Sequence, residues 1–184
     1  MSAPATHAPT PSAKLTAHST ALICQDTNLQ GEITIGAGCI VHPKASILAL
    51  GGPIVIGQNC VIEETAAIVN KTQGVMSIGE GNVFMIGSRV ESPRVGDFNV
   101  FHPRSFASSL VHVTDHCNLG AGTVALPLDP MGTDTLAPYT VVYGADSSRR
   151  VWDGSGETAE LDLRQKHTEY LREIMPKYNR MRAA

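Results

Sequence analysis

Aromatic side chains are scarce in this chain, at 5% of 184 residues with a single tryptophan. A core built with so few of them has to be narrow and filled by aliphatic side chains. Neither sign of charge dominates, with 14 Lys and Arg against 17 Asp and Glu. That balance removes the basic field that draws a protein to nucleic acid or acidic lipid. No apolar run approaches the ~20 residues a membrane helix needs, which argues against membrane insertion, and no signal-peptide apolar region opens the chain. The four cysteines lack paired spacings, which points to a reducing, cytosolic setting. What is plentiful is aliphatic: 42% of residues are hydrophobic, accompanied by 17 glycines and 11 prolines. This suits one domain with a real core and with corners made by residues that tolerate special backbone angles.

Every sixth residue from Ile23 is apolar: Ile23, Leu29, Ile35, Val41 and Ile47. That period belongs to neither a helix nor a two-faced strand; it is a hexapeptide repeat. Its physical form is an all-β solenoid, a parallel β-helix in which each unit supplies one short strand and one corner and three units make one coil of a triangular prism. The column restarts at Ile56, Ile62 and Ile68, then at Ile78, Phe84 and Val90. A one-residue deletion leads to Val95, Phe101, Ala107, Val113, Leu119 and Ala125, and a loop from Leu126 to Thr135 precedes Leu136 and Val142. The dipeptides Ile35-Gly36, Ile56-Gly57, Ile78-Gly79 and Val95-Gly96 recur every third unit, as features of one corner should. Near that corner sit Gly38, Asn59, Gly81 and Asp97, residue types that accept left-handed backbone angles. At ~4.8 Å per coil the column gives about six coils and a prism roughly 30 Å long. The same register stacks Cys39, Cys60, Asn82, Asn99, Cys117 and Thr140 into one ladder. Asn82 and Asn99 are then placed to exchange amide hydrogen bonds, and Cys39 over Cys60 reads as two reduced thiols.

Residues 1–20, rich in Ala, Pro, Ser and Thr, read as a disordered tail; residues 21–151 read as the β-helix, and 152–184 as a linker and C-terminal amphipathic α-helix. On that helix Leu163, His167, Tyr170 and Ile174 share a face, with Leu171 and Met175 beside them, and the expectation is that this stripe packs on the chain's own prism. Pro176 is expected to end or kink it.

Three chemistries can be weighed on this scaffold. A zinc site of the gamma-class carbonic anhydrase kind needs three converging histidines. The candidates are His42, His102, His112 and His116, but the register sets His42 and His102 three coils, ~14 Å, apart. Acyl transfer would use His42 or His102 as general base; each sits in a matching unit, Val41-His42-Pro43-Lys44 and Phe101-His102-Pro103-Arg104, which internal repetition produces without catalysis. Cys24, read as facing outward, has no histidine placed beside it. The expectation is a protein that is not an enzyme and holds no metal or cofactor, with an inactive hexapeptide-repeat enzyme as the alternative.

The run Gly52-Pro53-Ile54-Val55-Ile56-Gly57, then Asn59, Ile62-Glu63-Glu64 and Ala67-Ile68, resembles the dynactin subunit 6 family of hexapeptide-repeat proteins. So do Val142-Tyr143-Gly144-Ala145-Asp146 with Arg149-Arg150-Val151, and Ile174-Met175-Pro176-Lys177-Tyr178 at the end of the helix. The resemblance implies a left-handed coil and a non-catalytic subunit of the dynactin pointed-end complex, in the cytoplasm and on the cytoskeleton, supporting dynein-based transport. It further implies dynactin subunit 5, a second β-helix, as pairing partner, beside the pointed-end actin-related protein and dynactin subunit 4. Candidate partner contacts are Glu63, Glu64, Tyr143, Asp146, Arg149, Arg150, Tyr170, Ile174 and Tyr178.

Overall fold

The computed structural model describes residues 13–182. Chain order builds coils directly. The first is β1 (Lys14–Ala17), β2 (Leu22–Ile23) and β3 (Asn28–Gln30); the second is β4 (Glu32–Ile35), β5 (Ile40–Val41) and β6 (Ser46–Ala49). The third is β7 (Ile54–Ile56), β8 (Val61–Ile62) and β9 (Ala67–Asn70); the fourth is β10 (Met76–Ile78), β11 (Val83–Phe84) and β12 (Arg89–Val90). The fifth is β13 (Arg94–Val95), β14 (Val100–Phe101) and β15 (Phe106–Ala107); the sixth is β16 (Val111–Val113), β17 (Asn118–Leu119) and β18 (Val124–Ala125). A partial seventh holds β19 (Asp134–Leu136) and β20 (Thr140–Tyr143), after which β21 (Ser148–Val151) turns back and the helix α1 runs over Glu157–Tyr178.

Stacked coils give three parallel sheets, a left-handed β-helix of about six coils with one C-terminal helix. The first sheet runs β1-β4-β7-β10-β13-β16-β19, the second β2-β5-β8-β11-β14-β17-β20-β21, and the third β3-β6-β9-β12-β15-β18. Pairing puts Ile35 on Ile56, Ile78 on Val95, Phe84 on Phe101 and Ile68 on Val90. The hexapeptide column is therefore the core: apart from the half-buried Leu29, its members are buried in one continuous cluster. Phe84 and Phe101 stack with ring centroids 4.9 Å apart, a large apolar contact inside an otherwise aliphatic stack.

The tail expectation needs a correction at its inner end. Residues 1–12 lie outside the described residues, but Lys14–Ala17 form β1, paired in register with β4. Leu15 and Ala17 pack against the core, so the column starts one position earlier than its sequence period suggests.

Corners explain the rest of the repeat. At the corner between the first and second sheets, Asn59, Phe98, His116 and Tyr139 adopt positive φ (54, 56, 56 and 62°), as do Gly38 and Gly81. Phe98, not Asp97, takes that conformation; Asp97 instead accepts the Glu80 N–H at 2.8 Å. The left-handed angle costs about 1 kcal/mol at each non-glycine position. It is offset because the N–H groups of Asn59, Phe98, His116 and Tyr139 donate to carbonyls of the preceding coil at 2.8–3.0 Å. The recurrence of the Ile-Gly pairs at this corner is steric: a Cβ at Gly57 would sit 2.6 Å from the Gly79 carbonyl oxygen. All the length changes fall at one corner, between the third sheet and the first, in the segments 50–53, 71–75, 91–93 and 126–133. Asn70 holds two of them together, donating to the Gly52, Pro53 and Gly74 carbonyls and accepting from Thr72.

The second sheet is shielded on its outer face and at both edges. Its outer face carries Ile40 and Val61, and Leu171 and Met175 of α1 bury against them, contributing about 3–6 kcal/mol between them. At one edge Met181 bridges antiparallel to Cys24 and the Arg182 N–H donates to the Ile23 carbonyl at 2.7 Å. At the other edge β21 pairs antiparallel to β20. Pro176 does not end α1; it lies inside its final turns, and the helix closes on the Asn179 N–H donating to the Met175 carbonyl.

Candidate docking surfaces

The helix presents a different face from the one its apolar spacing suggests. Leu161, Arg164, Thr168, Leu171 and Met175 are the residues turned toward the prism, with Leu171 and Met175 fully buried. Leu163 is 68% exposed, Tyr170 58% and Tyr178 79%, His167 is exposed and Ile174 half-buried. The expected packing of Leu163, His167 and Tyr170 on the prism is overturned. The physical reason is polar: Arg164 donates to the Phe98 carbonyl at 3.1 Å and Arg172 to the Gly38 carbonyl at 2.8 Å. These anchors satisfy orphan corner carbonyls and set the rotation of the helix, so half of a wide apolar arc is left in solvent.

The helix start is fixed by an aromatic ladder. Phe98 stacks on His116 at 5.4 Å, His116 on Tyr139 at 4.8 Å, and Trp152 meets Tyr139 edge-on at 6.0 Å. Glu157, in the first turn of α1, lies 2.6 Å from His116 Nδ1 and accepts from the Tyr139 hydroxyl at 3.2 Å, a favourable place for a carboxylate near a helix N-terminus. Sequence reasoning missed this ladder, although the signal was present. Phe98, His116 and Tyr139 each stand three residues after a column position, Val95, Val113 and Leu136. A cavity of ≈ 180 Å³ beside it is lined by Phe98, His116, Trp152, Glu157 and Arg164.

The remaining candidate contacts are largely engaged within the chain. Glu63 accepts the Ile86 N–H at 3.0 Å and Glu64 meets His42 Nδ1 at 3.0 Å. Burial is the largest single influence and pushes the Glu64 carboxyl up, but the His42 hydrogen bond, Glu64's own backbone N–H and the attraction of His42 together outweigh it and hold it low. Arg149 pairs with Asp134 at 2.6 Å and donates to the Leu126 carbonyl, so it clamps the 126–133 loop onto the last coil. Asp146 accepts from the Ser148 hydroxyl at 2.7 Å and shapes the turn between β20 and β21. Tyr143 is exposed, with the Arg150 guanidinium 5.9 Å from its ring centroid.

The histidines scatter. His42 and His102 follow β5 and β14, three strand steps apart in the second sheet. His42 is buried, and its Nε2 has no hydrogen-bond partner. Burial pushes the His102 pKa down. His112 sits mid-strand in β16 and His116 in the ladder. Among the described residues no three His, Cys, Asp or Glu side chains converge in a way that could hold a metal ion. Cys24 corrects another expectation: it is buried beneath the helix end rather than facing outward. Burial, with the Glu64 and Asp26 carboxylates, pushes its thiol up to about 11, far from the reactive thiolate range.

The polar ladder is where the register placed it. Cys39 and Cys60 are free thiols, each donating to a carbonyl of the next coil at 3.0 and 3.2 Å. Asn82 Oδ1 accepts from both the backbone N–H and the amide of Asn99, at 2.9 and 3.0 Å.

No family model matches the chain. A protein of Nematostella vectensis named dynactin subunit 6 is 33% identical over 180 residues, spanning 92% of each chain. One of the same name from Xenopus tropicalis is 32% identical over 173 residues, 88% of this chain and 81% of that one. Among solved structures, a hexapeptide transferase family protein from Anaplasma phagocytophilum superposes with a TM-score of 0.70 at 15% identity, over 89% of this chain and 92% of that chain. That last likeness is one of fold.

Proposed function

The chain belongs to the dynactin subunit 6 family, and from that premise we propose that it is a structural, non-catalytic subunit of dynactin. Its place is then the pointed-end complex of a cytoplasmic, cytoskeleton-associated assembly that supports dynein-based transport. Its partners are a second β-helix, dynactin subunit 5, with the pointed-end actin-related protein and dynactin subunit 4 beside them. No helix of the described residues is long and apolar enough to cross a membrane.

The observation that carries this reading is the extent of the relationship, about nine-tenths of the chain at one-third identity, which takes in the prism and the helix that crosses it. Geometry supports it. A prism of stacked coils is a rigid ruler, and with one sheet sealed by its own helix it leaves two flat faces for docking. Two of the histidines that acyl transfer or metal chemistry would draw on contact carboxylates of the chain itself, His42 that of Glu64 and His116 that of Glu157.

The test is co-expression with the dynactin subunit 5 partner, followed by native mass measurement. The expected result is a one-to-one complex, with the purified chain inactive in acyl transfer and carbon dioxide hydration. A homotrimer with histidines at its interfaces, or turnover in either assay, would overturn the proposal.

A further inference from the structure

Helix α1 leaves one long face in solvent. Leu163, His167 and Tyr170 are exposed and Ile174 is half-buried, all on the side turned away from the contact that Leu171 and Met175 make with the second sheet. Along these four residues the spacing alternates 4, 3 and 4. That alternation is the seam of a coiled coil, with His167 and Ile174 at its a positions and Leu163 and Tyr170 at d. A face with this register is built to receive another helix, unlike apolar residues scattered singly over a surface.

Which helix it receives follows from symmetry and charge. Laid antiparallel against a copy of itself, the seam closes a on d: Leu163 meets Ile174 of the second copy and His167 meets Tyr170 of the second copy, each contact occurring twice. One flank of the seam, Arg164 and Leu171, is engaged with the chain's own prism. The open flank carries Lys166 and Glu173 at the g positions. In an antiparallel pair g faces g, so Lys166 of each copy meets Glu173 of the other, and both contacts join opposite charges. Lys177 already holds Glu173 at 2.6 Å through one carboxylate oxygen, and a carboxylate accepts from more than one donor. A parallel pair would set g against e, where Leu171 is buried, and would leave Lys166 without its complement. The helix is also held in place before it meets anything, by Leu171, Met175 and the Arg164 and Arg172 bonds to the prism. A seam of about three turns, too short to hold two free peptides together, therefore pairs without a folding cost.

We propose that the outer face of α1 is a self-docking surface through which two copies of this chain pair by antiparallel helices. The proposal goes beyond the assembly-subunit reading and is tested on the chain alone. Sedimentation equilibrium of the purified full chain is expected to show a concentration-dependent dimer. Tyr170→Asp puts a charge into both central layers and is expected to weaken the dimer tenfold or more. Lys166→Glu and Glu173→Lys each turn two attractive pairs into two repulsive ones, and each is expected to weaken it about tenfold. An equimolar mixture of those two variants is expected to recover wild-type association, because each altered side chain then faces its opposite charge. That recovery also shows both variants to be folded. Val75→Ser, 57% exposed at the far corner of the prism, is expected to leave the dimer unchanged.

A monomer at every concentration, a dimer indifferent to Tyr170→Asp, or a mixture of the charge variants that associates no more tightly than either component would overturn the proposal. Each of these outcomes leaves the assembly reading standing, because that reading is tested separately by the complex with dynactin subunit 5.

Discussion

The asparagine pair inside the prism gives a sharp energetic prediction, because its hydrogen bonds are unequal. Asn82 Oδ1 accepts two donors, the Asn99 backbone N–H at 2.9 Å and its amide at 3.0 Å, while Asn82 Nδ2 donates to the Gly96 carbonyl at 2.8 Å. Asn99 Oδ1 accepts one, the Cys117 N–H at 2.7 Å. Both side chains are fully buried, so water cannot replace a lost partner. Asn82→Ala leaves two donors on Asn99 and the Gly96 carbonyl orphaned, and at ~1–3 kcal/mol for each buried unsatisfied group the cost is about 3–9 kcal/mol. Asn99→Ala orphans the Cys117 N–H alone, about 1–3 kcal/mol. In the double variant the Asn99 amide no longer exists to be orphaned, so the summed cost falls short of additivity by about 1–3 kcal/mol. Thermal unfolding followed by circular dichroism reads this at about 2–4 °C of Tm per kcal/mol for a chain of this length. Equal costs for the two single variants, or an additive double variant, would refute the hydrogen-bond accounting and leave only packing.

Other sites yield expectations of different kinds. Gly57→Ala places a methyl 2.6 Å from the Gly79 carbonyl oxygen and is expected to cost about 1–3 kcal/mol by overpacking. Gly122→Ala meets nothing within 4 Å and carries only the strain of its φ of 69°, about 1 kcal/mol; urea titration of the two variants compares them. Burial lowers the His102 pKa from its ordinary 6.5, so the folded state disfavours the proton. Its contribution is fully present above pH 6.5 and is lost as pH falls through the lowered folded value, and His102→Gln should flatten stability against pH in that window. Arg149→Ala frees Asp134 and the Leu126 carbonyl, and limited proteolysis is expected to cut the 126–133 loop several-fold faster. The Arg149 hydrogen bond holds the Asp134 carboxyl below its ordinary 3.8. The stability this provides is present above that value and is lost as pH falls through the depressed folded one, and the variant should lose this acid dependence.

The core was legible because a coil repeats itself. Whatever residue lies under Ile56 must fit the space under Ile78, so the period survives wherever the loops between coils are discounted, and the Ile-Gly pairs mark where one backbone crosses another at contact distance. The ladder from Cys39 to Thr140 followed from the same rule. The rotation of α1 did not, because it is set by Arg164 and Arg172 reaching corner carbonyls, and the apolar spacing of the helix holds no record of them. The burial of Cys24 is invisible for a related reason: what covers it is the chain end at Met181, some 157 residues away. Strand β1 was hidden by composition, since Lys14, Thr16 and the Pro-containing stretch before them resemble solvated chain while only Leu15 and Ala17 reach the core. Of the charged candidate contacts, Glu63, Glu64 and Arg149 were legible as residues, while the hydrogen bonds by which they hold their own prism together were not.

A solenoid has to manage its edges, and this one does so asymmetrically. The second sheet is closed by the strand-like segment at Met181 on one edge, by β21 on the other, and by α1 across its outer face. Among the described residues the first and third sheets receive none of these: they end in β1 and β19, and in β3 and β18, and those outermost strands are paired there on one side only. Unpaired parallel edges and bare faces invite association, so a chain that seals one sheet at three places and leaves the other two open directs association between sheets to those two. The corner they share is also where the lengths of the units vary and where large apolar side chains reach solvent. A constant stack thus fixes the position of that corner, while the insertions are free to shape what stands on it. Stability and variation are carried by different residues of each coil, the column inward and the third corner outward.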